Sequence, residues 1–160
     1  NCRNTKNIGN EMVNVTGYAD TKYRLSVLGE PVDYFACDTN DEKLNVIKKI
    51  LGDLRKKNFS SGDIVIISPR KRQDSIVGVL DADKYIIGDM GDDIKSYRAL
   101  FSTVQAFKGL ESKVVIVVDV EDYNDSKLMY VALSRARSKM YVIESSQASK
   151  QRKQFLIRRN

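Results

Sequence analysis

The sequence lacks histidine altogether and contains only two cysteines, Cys2 and Cys37, among its 160 residues. Without imidazole, zinc sites and catalytic triads or dyads built on a histidine base are excluded, so no metal site is expected. Two cysteines are too few for a disulfide framework and are typical of reduced thiols. These absences favour a cytoplasmic protein whose chemistry depends on other residue types.

Long apolar segments are also missing. No hydrophobic run approaches the roughly 20 residues that a membrane-spanning helix needs, and no basic-then-apolar signal segment opens the chain. The hydrophobic content of 42% is that of a globular protein, and a chain of this length can form one domain with its own core. We therefore expect a single domain over residues 1–160, with no membrane partner.

Positive charge is concentrated near the C-terminus. The formal net charge is +6, and five positive charges come from Lys150, Arg152, Lys153, Arg158 and Arg159, which leaves +1 for the rest of the chain. A cluster of Lys and Arg suits a polyanionic partner. This basic tail is therefore either a contact for nucleic acid or the solvated face of a terminal helix.

Apolar runs and helical stripes alternate along the chain. The clearest helix begins at a capping box formed by Thr39 and Glu42 and continues to about Lys57, because apolar residues recur at helical spacing. Strands are predicted at 32–37, 64–67, 99–103, 113–118 and 140–143, with a shorter candidate at 85–87. Further helices are predicted from a cap at Asn4 or Thr5 to about Met12, and over 74–80 and 127–138. The alternating order predicts an α/β fold with a mostly parallel sheet.

Two polar clusters flank the most apolar strand. The first runs from Thr103 to Glu111 and the second from Tyr130 to Arg137, with an unbroken hydrophobic run from Val114 to Val118 between them. Such a run is typical of a strand buried on both faces. Dense polar residues at both ends of a buried strand indicate a functional site.

Arg135 occupies an unusual position in the second cluster. If residues 127–138 form one helix, the helical period places Arg135 on an apolar stripe, together with Leu128, Val131, Ala132 and Ala136. Arg137 falls on the opposite face. A guanidinium cannot lose its charge, so its burial is costly unless an anion meets it. Arg135 therefore forms a structural ion pair, extends past the edge of the core into solvent, or binds an anionic ligand.

These residues resemble three motifs of superfamily 1 helicases of the UvrD and Rep kind. Thr103–Glu111 resembles motif V, and Tyr130–Ala136 resembles motif VI, in the same order and spacing. Asn1–Thr5, followed by Ile8, resembles motif IV. The sequence departs from the family where Cys2 replaces a usual Tyr, Gln105 a His found in some members, and Ser134 a frequent Thr; these departures concern the subgroup.

The resemblance implies a RecA-like three-layer α/β/α domain that closes over a nucleotide held mainly by a first motor domain. By their places in motifs IV and VI, Arg3 and Arg135 would reach the γ-phosphate as arginine fingers. Lys108, Gly109 and Glu111 would contact ATP, with Glu111 accepting hydrogen bonds from the ribose or neighbouring groups, although Lys108 could serve the DNA instead. An ordinary turn is an equally good explanation for Gly109.

The resemblance also implies contacts to single-stranded DNA. Thr103 and Gln105 lie where the family touches the nucleic-acid backbone, and Pro69 and Arg70 follow a buried strand at a second such place; Lys71 and Arg72 extend this basic run. Phe107 is favoured as a core residue over a platform for base stacking.

The motifs that bind most of the nucleotide are absent from this sequence. There is no Gly-x-x-x-x-Gly-Lys-Ser/Thr and no Asp-Glu pair after an apolar strand. We therefore expect a fragment of a longer protein, whose N-terminal motor domain supplies the Mg²⁺ ligands for ATP. Thr103 follows Ser68 by only 35 positions, so the large accessory subdomain of UvrD and Rep is expected to be absent or very small. The alternative is a non-catalytic RecA-like module that binds nucleic acid or a protein partner.

Overall fold

The computed structural model describes residues 5–17, 29–82, 86–93 and 97–159. In chain order, the elements are α1 (Lys6–Thr16), β1 (Asp33–Ala36), α2 (Asn40–Lys56), β2 (Ile64–Ser68), α3 (Ile76–Ala82), β3 (Gly88–Asp89), β4 (Leu100–Thr103), β5 (Ser112–Val120), α4 (Ser126–Leu133), β6 (Ala136–Glu144) and α5 (Ser146–Arg159). Short 3₁₀ turns precede β2 and α3. None of the helices in these ranges is both long enough and apolar enough to cross a membrane.

The strands form one sheet in the order β1-β6-β5-β2-β4-β3, and every neighbouring pair is parallel. Val114–Val120 of β5 is buried along its whole length. A strand covered on both faces has no polar face, which explains the unbroken apolar run in the sequence. The predicted α/β fold with a mostly parallel sheet is confirmed.

Helices cover both faces of the sheet and form two apolar cores. On one face, Ile8 of α1 and Leu133 of α4 pack with Val115 of β5. On the other face, Ile47 of α2 packs with Ile116, the next residue of the same strand. Neighbouring residues of a strand point to opposite faces, so β5 contributes to both cores. This arrangement is the predicted three-layer α/β/α architecture.

Local sequence signals at the helix ends agree with the structure. Thr39 Oγ1 accepts a hydrogen bond from the amide of Glu42 at 3.2 Å, and the Glu42 carboxylate accepts one from the amide of Thr39 at 3.1 Å. The predicted capping box is therefore confirmed. α1 begins after Thr5 as expected but continues to Thr16, where Gly17 adopts a left-handed φ of 75° and ends the helix.

The short strand predicted at 85–87 is wrong. The strand at this place is Gly88–Asp89, and the Gly88 amide donates to the carbonyl of Ala99 at 3.1 Å. Ile86 and Ile87 lie before it, and residue 85 is outside the described residues. The β-branched pair that suggested a strand is therefore adjacent to the strand that forms.

The helix predicted over 127–138 is also wrong, because α4 ends at Leu133. Ala136 and Arg137 instead begin β6, where Ala136 pairs with Ser112 of β5. The backbone hydrogen bonds of the β5–β6 ladder replace those that a longer helix would have made. The apolar stripe proposed for Arg135 therefore does not exist, since Arg135 lies in the turn between α4 and β6.

Candidate functional site

The segment resembling motif V crosses from one end of the sheet to the other. Thr103 is the last residue of β4 and lies level with Ser68 at the carboxyl end of β2, whereas Glu111 directly precedes β5. The amino end of β2, at Ile64, lies level with Val114 of β5. Five strand residues span roughly 13 Å, so the start and the end of this segment lie at opposite ends of the strands.

The predicted site residues divide between these two ends. The residues at the carboxyl ends of neighbouring strands are those predicted to contact DNA, namely Pro69, Arg70, Thr103 and Gln105. The residues toward the amino ends are those predicted to contact ATP, namely Lys108, Gly109, Glu111 and Arg135. Arg3 lies outside the described residues.

The turn after β4 is built by Thr103 and closed by Gly109. Thr103 Oγ1 accepts a hydrogen bond from the amide of Ala106 at 3.1 Å, and the Thr103 carbonyl accepts one from the amide of Phe107 at 2.9 Å. Phe107 is 1% exposed and packs in the core that also contains α1 and α4. Its prediction as a core residue is confirmed, and it anchors the turn to the sheet.

Gly109 has a backbone φ of +88°, in the left-handed region that glycine adopts without strain. A Cβ on this residue would meet no heavy atom within 4 Å. The glycine is therefore required by the direction of the chain and not by crowding within the domain. The adjacent space is open, as a close approach by a ligand would need.

Arg135 is held against this turn by neutral acceptors. Its Nη1 donates to the carbonyl of Leu110 at 3.3 Å, and its Nε donates to the carbonyl of Val131 at 3.0 Å. Within the described ranges of the chain, no carboxylate pairs with it. The structural ion pair considered from the sequence is therefore not what holds Arg135, and its positive charge is not neutralised there.

Ser134 orients Arg135, a role that the sequence analysis did not assign. Its buried hydroxyl donates to the carbonyl of Val131 at 2.9 Å and accepts from Arg135 Nη2 at 2.7 Å and Nε at 3.0 Å. A hydroxyl that bridges the last turn of a helix and a guanidinium restricts both. A serine placed directly between an apolar helix and an arginine was the available signal for this contact.

The carboxyl end of the sheet is electrostatically mixed. Pro69 and Arg70 line a cavity of about 230 Å³, and its wall includes the acidic residues Asp119, Glu121, Asp122 and Asp125. Arg70 Nη2 lies 3.8 Å from the carboxylate of Glu121, and both side chains are nearly half exposed. An ion pair this long and this exposed is weak, so Arg70 can exchange Glu121 for another anion.

Arg72, the third residue of the basic run, is engaged within the fold. Its guanidinium binds Asp81 through Nε at 2.8 Å and Nη2 at 2.9 Å, and binds Asp89 through Nη1 at 2.6 Å. The hydrogen bond with Asp81 is the main cause that raises the pKa of Arg72. Arg72 therefore ties α3 to β3, and Arg70 and Lys71 are the exposed cations of this loop.

Comparison with known proteins supports the resemblance seen in the motifs. Residues 98–143 match the family model of the UvrD-like helicase C-terminal domain. The matched segment is less than half of the chain. The matched region begins just before β4 and ends within β6, so it contains both segments that meet at Arg135. No curated protein sequence matches the chain significantly.

A solved structure shows that the fold of this chain is shared. The C-terminal domain of a possible DNA helicase from Lactobacillus plantarum WCFS1 is similar with a TM-score of 0.68 and 14% identity, over 94% of this chain and 93% of that chain. At this level of identity, the similarity establishes the fold. The C-terminal part of the Fun30 ATPase domain is also similar, with a TM-score of 0.47 and 15% identity, over 72% of this chain and 45% of that chain.

Proposed function

We propose that this domain is the second motor domain of an ATP-dependent DNA helicase or translocase. The observation that carries the proposal is the position of Arg135. Its guanidinium lies against the turn at Leu110 and, among the residues that the structure describes, is held by neutral acceptors. A preorganised, unneutralised guanidinium is what stabilisation of a phosphoryl-transfer transition state requires. The family match supports a helicase motor domain, and ATP and DNA are the ligands that this proposal adds.

The amino ends of the strands form this domain's part of the nucleotide site. ATP with Mg²⁺ supplies the phosphoanhydride whose hydrolysis drives movement, and the metal ligands belong to the N-terminal motor domain. Arg135 and Arg3 neutralise charge on the γ-phosphate, and Lys108 adds a further exposed cation. Gly109 leaves the backbone accessible, and Glu111 accepts hydrogen bonds from ribose hydroxyls or neighbouring groups.

The carboxyl ends of β2 and β4 form the track for single-stranded DNA. Thr103 Oγ1 already accepts from the amide of Ala106, so its hydroxyl proton is directed away from that amide and donates to a phosphate oxygen. Gln105 is exposed on the same turn, and Pro69 and Arg70 lie at the end of the neighbouring strand. The continuous segment from Thr103 to Glu111 links the DNA track to the nucleotide site.

The full-length protein is expected to hydrolyse ATP faster when single-stranded DNA is added, whereas the 160-residue domain alone is expected to show no turnover. The physical reason is that this domain supplies only the closing half of the nucleotide site. Phosphate release should be measured for both proteins, with and without oligo-dT.

A non-catalytic RecA-like module gives a different result in the same assay. Such a protein binds nucleic acid or a partner but releases no phosphate in its full-length form. Absence of turnover by the full-length protein would therefore favour the module, and turnover by the isolated domain would contradict the division of the site between two domains.

Replacing Arg70 with methionine should weaken binding of oligo-dT and reduce its dependence on salt. Each phosphate contact to a single strand contributes about 0.7 to the slope of log K against log salt concentration, so Arg70→Met should lower the magnitude of the slope by about that amount. Fluorescence anisotropy of labelled oligo-dT at several salt concentrations measures both quantities.

Lys56→Met is the matched control for this experiment. This substitution removes the same charge as Arg70→Met. The Lys56 side chain is 82% exposed at the C-terminal end of α2, away from the proposed track. We expect an unchanged slope for this variant. Equal changes in slope for both variants would show that binding responds to net charge and not to a contact at Arg70.

A further inference from the structure

Asp119 is a buried carboxylate near the carboxyl end of β5 that the proposed function does not use. It is 4% exposed and accepts three hydrogen bonds from a different part of the chain. Ser68 Oγ donates at 2.6 Å and Ser75 Oγ at 2.5 Å, both to Oδ2, and the amide of Ile76 donates to Oδ1 at 3.1 Å. These donors stand at the two ends of the loop 69–74, which connects β2 to α3.

The backbone is distorted to aim this carboxylate. Asp119 has a φ of +59°, which costs a residue other than glycine on the order of 1 kcal/mol or more. Val117 pairs with Val142 and Val120 with Glu144, so β5 contains one residue more than β6 between these pairs. Such a bulge redirects a side chain away from the regular alternation of a strand. Here it points Asp119 toward Ser68 and Ser75.

Ser68 extends this restraint into the loop, and Ser75 extends it into the first turn of α3. Ser68 Oγ accepts a hydrogen bond from the amide of Arg70 at 3.0 Å, and Ser75 Oγ accepts one from the amide of Val77 at 3.2 Å. Ser68 is 0% exposed and Ser75 is 4% exposed, so water does not compete for these bonds. Asp119 therefore fixes the backbone of Arg70 through a single intervening hydroxyl.

We propose that Asp119 is a positioning residue that holds the loop 69–74 in the conformation in which Pro69 and Arg70 contact single-stranded DNA. This inference rests on the proposed function, because it assigns a DNA contact to that loop. It adds a route by which β5, which follows Glu111 directly, connects the nucleotide end of the sheet to the DNA track.

Charge and positioning predict opposite effects of removing the carboxylate. A negative charge close to a DNA track repels phosphates, so its loss alone would strengthen binding. Asp119→Asn keeps the shape and tolerates the left-handed backbone, but in either orientation its NH2 group replaces an oxygen that now accepts hydrogen bonds, from the two serines or from the amide of Ile76. We expect the full-length Asp119→Asn protein to bind oligo-dT about tenfold more weakly, a loss equivalent to one or two hydrogen bonds.

Asp122→Asn is the matched control, because Asp122 is exposed in the same cavity and accepts a hydrogen bond from the amide of Asn124. Its replacement removes the same charge and leaves the hydrogen bonds of Asp119 with Ser68 and Ser75 in place, so we expect unchanged or tighter binding of oligo-dT. Tighter binding by Asp119→Asn, matching this control, would overturn the positioning role.

A double-mutant cycle with Arg70→Met separates positioning from general stability. If Asp119 acts through Arg70, then Arg70→Met should cause little further loss of affinity or salt slope in the Asp119→Asn background. Additive losses of oligo-dT affinity would overturn the positioning role of Asp119 but would remain consistent with a DNA contact by Arg70. No effect of Arg70→Met in the wild-type background overturns the DNA assignment of the loop, and the positioning role with it.

Ser68→Ala keeps the test decisive if Asp119→Asn does not fold. This variant removes one donor to Asp119 and the acceptor for the amide of Arg70, and it introduces no new polar group. The same cycle with Arg70→Met should then show the same lack of additivity.

Discussion

Replacing Arg135 with alanine in the full-length protein is expected to lower the DNA-stimulated kcat for ATP hydrolysis by about a thousandfold or more. The guanidinium lies against the turn at Leu110, and its acceptors within the described part of the chain are neutral, so its charge is available when negative charge develops on the transferred phosphoryl group. Because that charge develops in the transition state, KM should change much less than kcat. Steady-state phosphate release at saturating oligo-dT measures both parameters.

Arg137→Ala is the internal control for this prediction. Arg137 is two residues away and exposed at the start of β6, and its replacement should cost far less activity. Arg135→Lys should remain strongly impaired, because an ammonium cannot reproduce a planar fork that bonds two carbonyls and a hydroxyl.

A structural role for Arg135 predicts a different pattern. Its hydrogen bond to the carbonyl of Val131 closes the end of α4, and the loss of such a bond costs about 1 kcal/mol. Thermal unfolding of the variants should therefore show a modest decrease in stability. If Arg135→Ala instead unfolds the protein and spares the activity of the folded fraction, the arginine-finger assignment is wrong.

The sequence predicted the layers of the fold because buried strands are visible in it as runs of apolar residues. The capping box at Thr39 and the run from Val114 to Val118 are local signals, and the structure reproduces them. These features depend on residues close together in the chain.

Features that depend on distant residues could not be predicted in the same way. α4 stops at Leu133 because Ala136 pairs with Ser112, more than 20 residues earlier. Helical periodicity in the sequence gives no information about this pairing between strands. Asp119 belongs to an apolar strand by sequence, yet a bulge turns it toward Ser68 and Ser75. The acidic wall beside Arg70 likewise comes from the loop after β5.

The basic tail illustrates the same limit. By sequence, its five cations form one cluster, but the structure buries Arg152 and leaves Lys150 and Lys153 exposed. Arg152 binds the carboxylate of Glu144 through Nη2 at 2.9 Å and Nε at 3.1 Å, and the two side chains are 10% and 0% exposed. At least this member of the cluster therefore serves the core and not a polyanion.

Several groups surround this buried ion pair. The Arg152 guanidinium lies 3.5 Å from the centre of the Tyr34 ring, and the Tyr34 hydroxyl donates to Glu11 of α1 at 2.8 Å. The Tyr123 hydroxyl donates to Glu144 at 2.5 Å. Burial, and then the neighbouring Glu144 carboxylate, raise the pKa of Tyr123 above its usual range. Tyr123 thus remains a proton donor to Glu144, and the cluster joins α5, β6, β1 and α1.

Arg152→Met is expected to lower the free energy of unfolding by about 3–5 kcal/mol, because it leaves Glu144 buried without a cation. Methionine retains most of the aliphatic stem, so the loss reports on the charge more than on packing. Urea denaturation of the 160-residue chain measures the change. Lys153→Met, at the exposed neighbouring position of α5, should change stability by less than about 0.5 kcal/mol.

The double variant Glu144→Gln/Arg152→Met distinguishes an unpaired charge from lost contacts. Glutamine removes the buried charge and keeps an oxygen that accepts from the Tyr123 hydroxyl, so the double variant should be more stable than Arg152→Met alone. If the double variant is as unstable as the single variant, the stacking of Arg152 on Tyr34 is the larger contribution. In that case the stabilisation of α5 comes from the aromatic contact, and Tyr34→Leu should reproduce the loss.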